Sequence, residues 1–416
     1  MASHSLLILR CRVVLPICRK AIADGAVVVS GQKIRAVGRW ESIRKEFHAP
    51  VVDLGDCVLL PGLVNAHCHL EYTDLVGEFL PPRHFSDWLK LIVAAKAIRP
   101  DADFAAARKR GAQQLLRTGT TTVADIVAIP AIQPQSTPLR TFSFLEMTGV
   151  RSKTPPEKII AASVRKIIKL HAASQLAGFS PHAPYSTTSE LLRITAQTAR
   201  RRRWRVTTHV AESTDEFEMF TAASGRMFNW LSSQRDCADC SHGSPVRHLA
   251  NVGLLGPNVL AVHANCLAPG DATLLARSKT SVVHCPRSHN FFNHPKFPLK
   301  QLVSAGVNLC LGTDSLASIE SKGKQPPELD MFAEMRAFAR RNPDTQPGTV
   351  LQMATRNGAQ ALGLKGRVGE ISPGAFADLI VLPCREKLAD IYDAILHHRS
   401  NVAASMIAGR WAITQR

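Results

Sequence analysis

Long apolar runs are missing. Nowhere do about 18 apolar residues follow one another, so no membrane-spanning helix is expected. Near the start, Leu6 to Leu9 is apolar, but Arg10 and Arg12 interrupt it before a secretory signal core forms. Aromatics are scarce at 6% of 416 residues, and Leu, Val, Ile and Ala carry the 45% hydrophobic content. That balance excludes a mainly disordered, collagenous or coiled-coil chain. The ten cysteines are too scattered for a disulfide framework, which predicts a reducing, cytoplasmic setting. Cys237 and Cys240, with His242 just after, form one C-x-x-C group, but no second pair follows to complete a zinc knuckle. Acidic side chains are also short, 33 against 51 Lys and Arg, for a formal charge of +18. Such an excess attracts nucleic acid, anionic membrane or anionic substrates, and equally suits a solvated surface. The densest run, Arg200 to Arg203, reads as the charged end of a helix, where cations suit the dipole. No base-reading module accompanies it, so neither nucleic acid nor membrane is expected as a partner.

What is present is an α/β pattern. Residues 5–55 read as short strands, with a hairpin turn at Ser30-Gly31. Residues 366–383 have the same texture, with a buried strand from Leu379 to Leu382. Two β-rich ends around a different middle predict one small β-sandwich built from residues 1–58 and 365–416. Between them, over 59–364, apolar strand-like runs alternate with helical stretches at 102–117, 157–175, 188–203 and 269–277. The strand candidates are "VLLPGLVNAH", "TTTVADIV", "TFSFLEM", "LAGFSPHA", "WRVTTHVAE", "VLAVHANC", "TSVVHC" and "VNLCLGTDS". Eight strands with crossover helices predict a (β/α)8 TIM-like barrel.

The unusual polar residues cluster at the downstream ends of these strands. His67 and His69 lie two apart, so both imidazoles point to one side of a strand and can converge on one ion. His209 ends the fifth strand, His263 the sixth and Asp314 the eighth. In a barrel those ends share one face, where the active site is built. Three imidazoles and a carboxylate suit zinc or iron(II), with a position left for water. Taken singly, a strand-end His is commonly structural, and an Asp after "LGT" can simply cap a helix. It is the shared rim that makes them a candidate set. Glu212, three residues past His209, is placed either to shuttle a proton or to cap the acidic helix start "AESTDEFE".

With these motifs in place, the chain resembles the amidohydrolase superfamily, in its metal-dependent aminohydrolase branch that deaminates purines, pyrimidines and related rings. "PGLVNAHCH", "HVAE", "GTD" and "GAFADLIVL" carry the resemblance in fixed order over nearly the whole length. It implies that His67, His69, His209 and Asp314 hold one divalent metal, that Glu212 shuttles the proton, and that His263 orients the water or polarises the ring. "SPHAPYS" is similar to the strand-four motif of adenosylhomocysteine and methylthioadenosine deaminases, which implies that His182 meets the substrate. "NAHCHLEYTDLVG", Trp88 and "VHCPRSHNFF" most resemble aminodeoxyfutalosine deaminases, implying that Glu71 and Trp88 line the pocket. Against those roles stand a surface carboxylate and a core indole. Ser288 and His289 either shape the rim or belong to a helix entry, and Arg151 is the candidate partner for an anionic substituent.

Dinuclear relatives carry a carboxylated Lys at the end of strand four. Here that strand ends in His182 and Lys169 lies upstream in a helical stretch, so one metal is expected. The implied reaction is hydrolytic deamination of an amino-substituted heterocycle, foremost the adenine of a modified nucleoside. Rival readings are an s-triazine or chlorinated-ring hydrolase, a guanine deaminase, and a non-catalytic scaffold. Its partner is then a small-molecule substrate, with assembly into a homo-oligomer left open.

Overall fold

The computed structural model describes residues 6–127, 137–150, 152–323 and 325–414. Arg151 lies outside them. Two sheets organise the chain.

The first sheet joins both ends. Leu6–Val14 pairs antiparallel with Ile22–Ser30, which pairs with Lys33–Arg39 across the turn at Gly31, whose φ of 55° is left-handed. From the other end, Leu379–Pro383 pairs with Ala404–Ile407, and that strand with Arg410–Ile413. The halves meet through Cys57–Pro61, which runs parallel to the first strand and antiparallel to Leu379–Pro383. The run "AVVV" is buried on both faces. Val27 and Val29 join Leu59, Leu379 and Val381 in one core, while Ala26 and Val28 pack beneath Ile43 of the helix Trp40–Glu46.

The second sheet is the barrel. Its eight parallel strands are Leu63–Cys68, Thr120–Val127, Arg140–Met147, Leu176–Pro181, Val206–Val210, Val259–His263, Ser281–His284 and Leu309–Leu311, neighbours in that order. The ring closes where Cys68 bridges Asp314 in parallel: Asp314 N–H donates to the His67 carbonyl and His69 N–H to the Asp314 carbonyl. Helices cross between strands, as at Asp101–Arg117, Pro156–Ala172 and Ser189–Arg202. The first of these stops at Thr118-Gly119, where Gly119 has φ +87°. Apolar strand runs are explained by burial against both barrel interior and helices.

One expected strand is divided. "VLLPGLVNAH" turns at Gly62, so its first part belongs to the terminal sheet and its second to the barrel. A side chain at Gly62 would overlap Thr121, so only glycine fits at the crossing. Asp378 ties the two sheets together. It is buried, pairs with Arg140 at the start of the third barrel strand, and accepts from Ala408 N–H. Among the described residues, no helix is long and apolar enough to cross a membrane.

Candidate metal centre and active site

Barrel closure sets the geometry of the site. Asn65 and Thr313, on the first strand and just past the eighth, are buried and bonded to each other: Asn65 Nδ2 donates to Thr313 Oγ1 at 2.7 Å, and Thr313 N–H to Asn65 Oδ1 at 3.1 Å. This stitch brings His67 and Asp314 together, with Nε2 and Oδ1 3.5 Å apart. His69 Nε2 is 3.7 Å from the same oxygen and 3.3 Å from His209 Nε2. The donor atoms form two overlapping triads, His67, His69 and His209, and His67, His263 and Asp314, each set within 4.8 Å. All five side chains are buried.

Backbone conformation aims several of these groups. His263 (φ 74°), Ala264 (φ 50°), Asp314 (φ 55°) and Ala211 (φ 51°) are all left-handed, although none is glycine. Such residues cost about 1–3 kcal/mol each and persist only where their surroundings impose them. Here they sit at the ends of the fifth, sixth and eighth strands.

These residues suit a divalent ion. Burial pushes His69 and His263 down to about 3 and His209 well below its ordinary value, so the rings are neutral and carry lone pairs. His209 Nδ1 faces the His182 carbonyl at 2.8 Å, which can only accept. The proton is therefore on Nδ1, and Nε2 is the donor atom toward the cluster. His67 Nε2 is buried without a hydrogen bond, a costly state that a shared cation relieves. Lys169 is exposed on the helix Pro156–Ala172, far in character from a bridging ligand.

Glu212 lies beside the cluster, with Oε1 3.5 Å from His263 Nε2. The capping work at the next helix, Thr214–Ala222, is done by others. Ser213 Oγ accepts from Glu216 N–H, and the Glu216 carboxylate accepts from Glu212 N–H. The Glu212 carboxyl is thereby left to the cavity, and burial, with Asp314 and Glu216 nearby, pushes it well above the usual range. Behind it, Asn265 Nδ2 donates to the Glu212 carbonyl, and Asn265 Oδ1 lies 3.1 Å from His289 Nδ1. Ser288 and His289 belong to the helix Pro286–Phe291 and do not line the cavity.

The cavity, about 250 Å³, opens from His69, His209, His263, Asp314 and Glu212 along an apolar wall. That wall is one face of the helix Phe85–Ile98, through Phe85, Trp88, Leu89, Ile92 and Val93. His182 lines it as well, its Nδ1 2.7 Å from Ser186 Oγ. Glu71 is buried but is not among the lining residues, and burial pushes its carboxyl up to about 7. At the C-x-x-C group, Cys237 bonds the Arg235 carbonyl, Cys240 the Asp239 carboxylate, and His242 the Ala238 carbonyl. Among the described residues, no metal-holding cluster includes them.

Residues 58–412 match the amidohydrolase family. The chain belongs to that family. As an amidohydrolase it is a hydrolase of carbon–nitrogen bonds, of a metal-dependent kind. It is 31% identical to a 5-methylthioadenosine/S-adenosylhomocysteine deaminase of Syntrophobacter fumaroxidans, over 94% of this chain and 89% of that one. A zinc-bound adenosine deaminase of Xanthomonas campestris superposes with a TM-score of 0.83 at 26% identity, covering 99% of this chain and 93% of the other. Helicobacter pylori aminofutalosine deaminase with methylthio-coformycin shares the fold, with a TM-score of 0.84 at 23% identity over 97% and 99% of the two chains.

Among the lining residues of this amidohydrolase that escape the sequence reading, two are charged. Glu146 ends the third barrel strand, and Lys96 lies on the cavity face of the helix Phe85–Ile98. A signal for Glu146 existed, a lone carboxylate closing the buried run "TFSFL". Lys96 had none, since a lysine on a helix ordinarily faces solvent.

Proposed function

We propose that the protein is a metal-dependent hydrolytic deaminase of the adenine ring of a modified nucleoside, releasing ammonia. The observation that carries this reading is the meeting of His67, His69, His209, Asp314, His263 and Glu212 at one end of a cavity with an apolar wall. The names of the methylthioadenosine/adenosylhomocysteine and adenosine deaminase relatives support it.

His67, His69, His209 and Asp314 would hold one divalent ion, zinc or iron(II). Zinc is favoured by the zinc-bound Xanthomonas relative. Bound there, the ion supplies Lewis-acid activation of water at neutral pH. His263 and Asp314 hold the attacking water and take its proton at Nε2 and the carboxylate. Glu212, protonated in its buried setting, gives its proton to the ring nitrogen next to the amino-bearing carbon. Water oxygen bonds to that carbon. The departing amino group takes the one proton first drawn from water as its bond to carbon breaks, and leaves as ammonia. The remaining hydroxyl proton passes to Glu212 as the ring carbonyl forms. Trp88 and the helix Phe85–Ile98 exclude bulk water from the ring, and His182 contacts the substrate. Arg151 is proposed to act in substrate binding, and Glu71, buried outside the lining, to act there only through the Lys96 charge that it faces.

Ammonia release by metal-loaded protein tests this on a panel of adenine nucleosides, guanine and chloro-triazines. Turnover of adenine compounds above the rest is expected, and silence on every adenine compound overturns the reading.

A further inference from the structure

No step of the proposed chemistry uses the C-x-x-C group, yet it packs against the cavity wall. Cys240 shares a buried cluster with Tyr185 and Leu231, both of which line the cavity. Its N–H donates to the Cys237 carbonyl at 2.9 Å and closes a four-residue turn. The end Cα atoms of such a turn are under about 7 Å apart. A disulfide takes Cα atoms at about 4.4–6.8 Å, so the turn brings the pair within reach of one. Both thiols are free, and among the described residues neither belongs to a metal-holding cluster.

The same turn carries a clamp on the loop after the fourth barrel strand. Arg235, with only 3% of its side chain exposed, donates through Nη1 to the carbonyls of Pro184 at 3.1 Å and Tyr185 at 3.3 Å. Its Nη2 pairs with Asp239, whose Oδ2 also accepts from Ser189 Oγ at 3.0 Å. Pro184 and Tyr185 are middle residues of a turn in which Ser186 and Thr187 N–H both donate to the Ala183 carbonyl. Each thiol donates into the clamp: Cys237 Sγ to the Arg235 carbonyl at 3.8 Å, and Cys240 Sγ to the Asp239 carboxylate at 3.6 Å. Joining the sulfurs withdraws both donors.

We propose that Cys237 and Cys240 form a reversible disulfide, and that its formation loosens the hold of Arg235 on the loop at Pro184 and Tyr185. The oxidant is a small disulfide such as oxidised glutathione. Cys237 is half-buried and reacts first, since burial and Asp239 push the Cys240 thiol up to about 12. The Cys237 thiolate attacks one sulfur of the oxidant and expels one glutathione. Cys240 gives its proton to water and attacks the Cys237 sulfur, expelling the second. Two thiols thus lose two protons and two electrons, and one oxidised glutathione becomes two reduced molecules. In a reducing cell such a bond is transient rather than structural.

The test poises metal-loaded wild-type protein in glutathione buffers of stepped ratio, alkylates the remaining thiols and maps them by peptide mass. Hydrogen exchange over residues 183–188 is then followed in the reduced and oxidised forms. Cys237 and Cys240 are expected to escape alkylation together, and to return together in excess reduced glutathione. In the oxidised form the amides of Ser186 and Thr187 should exchange roughly 2- to 10-fold faster, the worth of one ordinary hydrogen bond. Cys237→Ser, treated alike, should keep the slower rate. A mixed disulfide on Cys237 as the end product, or both thiols still alkylated in the most oxidising buffer, overturns the proposal. So does a disulfide that leaves exchange over 183–188 unchanged, or equal acceleration in Cys237→Ser. No substrate enters the measurement, so its outcome is independent of the deaminase reading.

Discussion

His209 donates its Nδ1 proton to the backbone oxygen of His182 at 2.8 Å, so the end of the fourth barrel strand fixes the tautomer of a ring on the fifth. The consequence is a neutral imidazole whose Nε2 faces His69 across 3.3 Å. A ligand held in this way is prepared for an ion before the ion arrives.

Metal content follows from that arrangement. One divalent ion per chain is expected by elemental analysis, and His209→Ala should lower the occupancy sharply. Chelation should lower the melting temperature, and zinc or iron(II) should restore it. An ion at a hundredfold its Kd stabilises the folded chain by about 2.7 kcal/mol. A chain purified without stoichiometric metal, and unmoved by either addition, would remove the metal centre.

Glu212 is separable from the metal. Its carboxyl contacts His263, and the neighbouring helix is capped by Ser213 and Glu216. Glu212→Gln should therefore keep the metal and the fold while turnover falls by roughly 10²- to 10⁴-fold, the usual worth of a positioned proton donor. Steady-state ammonia release beside elemental analysis reads both quantities. Near-normal turnover in the metal-loaded variant sinks the shuttle role.

Much of this was legible before the structure, for physical reasons that differ by residue. His67 and His69 announce themselves through the two-residue period of a strand, and His209, His263 and Asp314 through closing apolar runs. The division of residues 58–67 between two sheets was not legible, because a strand buried on both faces looks the same whichever sheet owns it. Glu146 and Lys96 are 50 positions apart, and only the helix laid over the barrel mouth joins them. Trp88 lines the cavity from the helix Phe85–Ile98, while Glu71, in the separate helical turn Leu70–Leu75, is buried outside the lining, and the sequence does not show which of the two elements faces the cavity.

Arg108 and Asp125 brace the site from behind. Asp125, fully buried at the second strand, accepts from Arg108 through Oδ2 and from Leu70 N–H through Oδ1 at 3.0 Å, which anchors the chain just after His69. Arg108→Met strands a buried carboxylate and should cost about 3–5 kcal/mol in urea unfolding. Adding Asp125→Asn removes the charge but keeps an acceptor for Leu70, so the double variant should be the more stable of the two. If both lose the same amount, the pair contributes nothing through its charge.

Gly312 offers the sharpest steric test of barrel closure. A Cβ placed there would lie 2.8 Å from the His67 carbonyl oxygen, 2.9 Å from the His67 Cβ and 3.0 Å from its nitrogen. Backbone cannot swing aside as a flexible side chain can, so Gly312→Ala must separate the first and eighth strands. Overpacking of this kind costs about 1–3 kcal/mol, and here it also pulls His67 away from Asp314. Unfolding by urea should show the stability loss, and metal titration should show weaker binding than in the wild type. The two losses must appear together, because a single contact, between the strand carrying His67 and the turn carrying Asp314, governs both. An alanine variant that is destabilised yet binds metal with unchanged affinity would mean that the ligands are positioned by something other than closure of the ring.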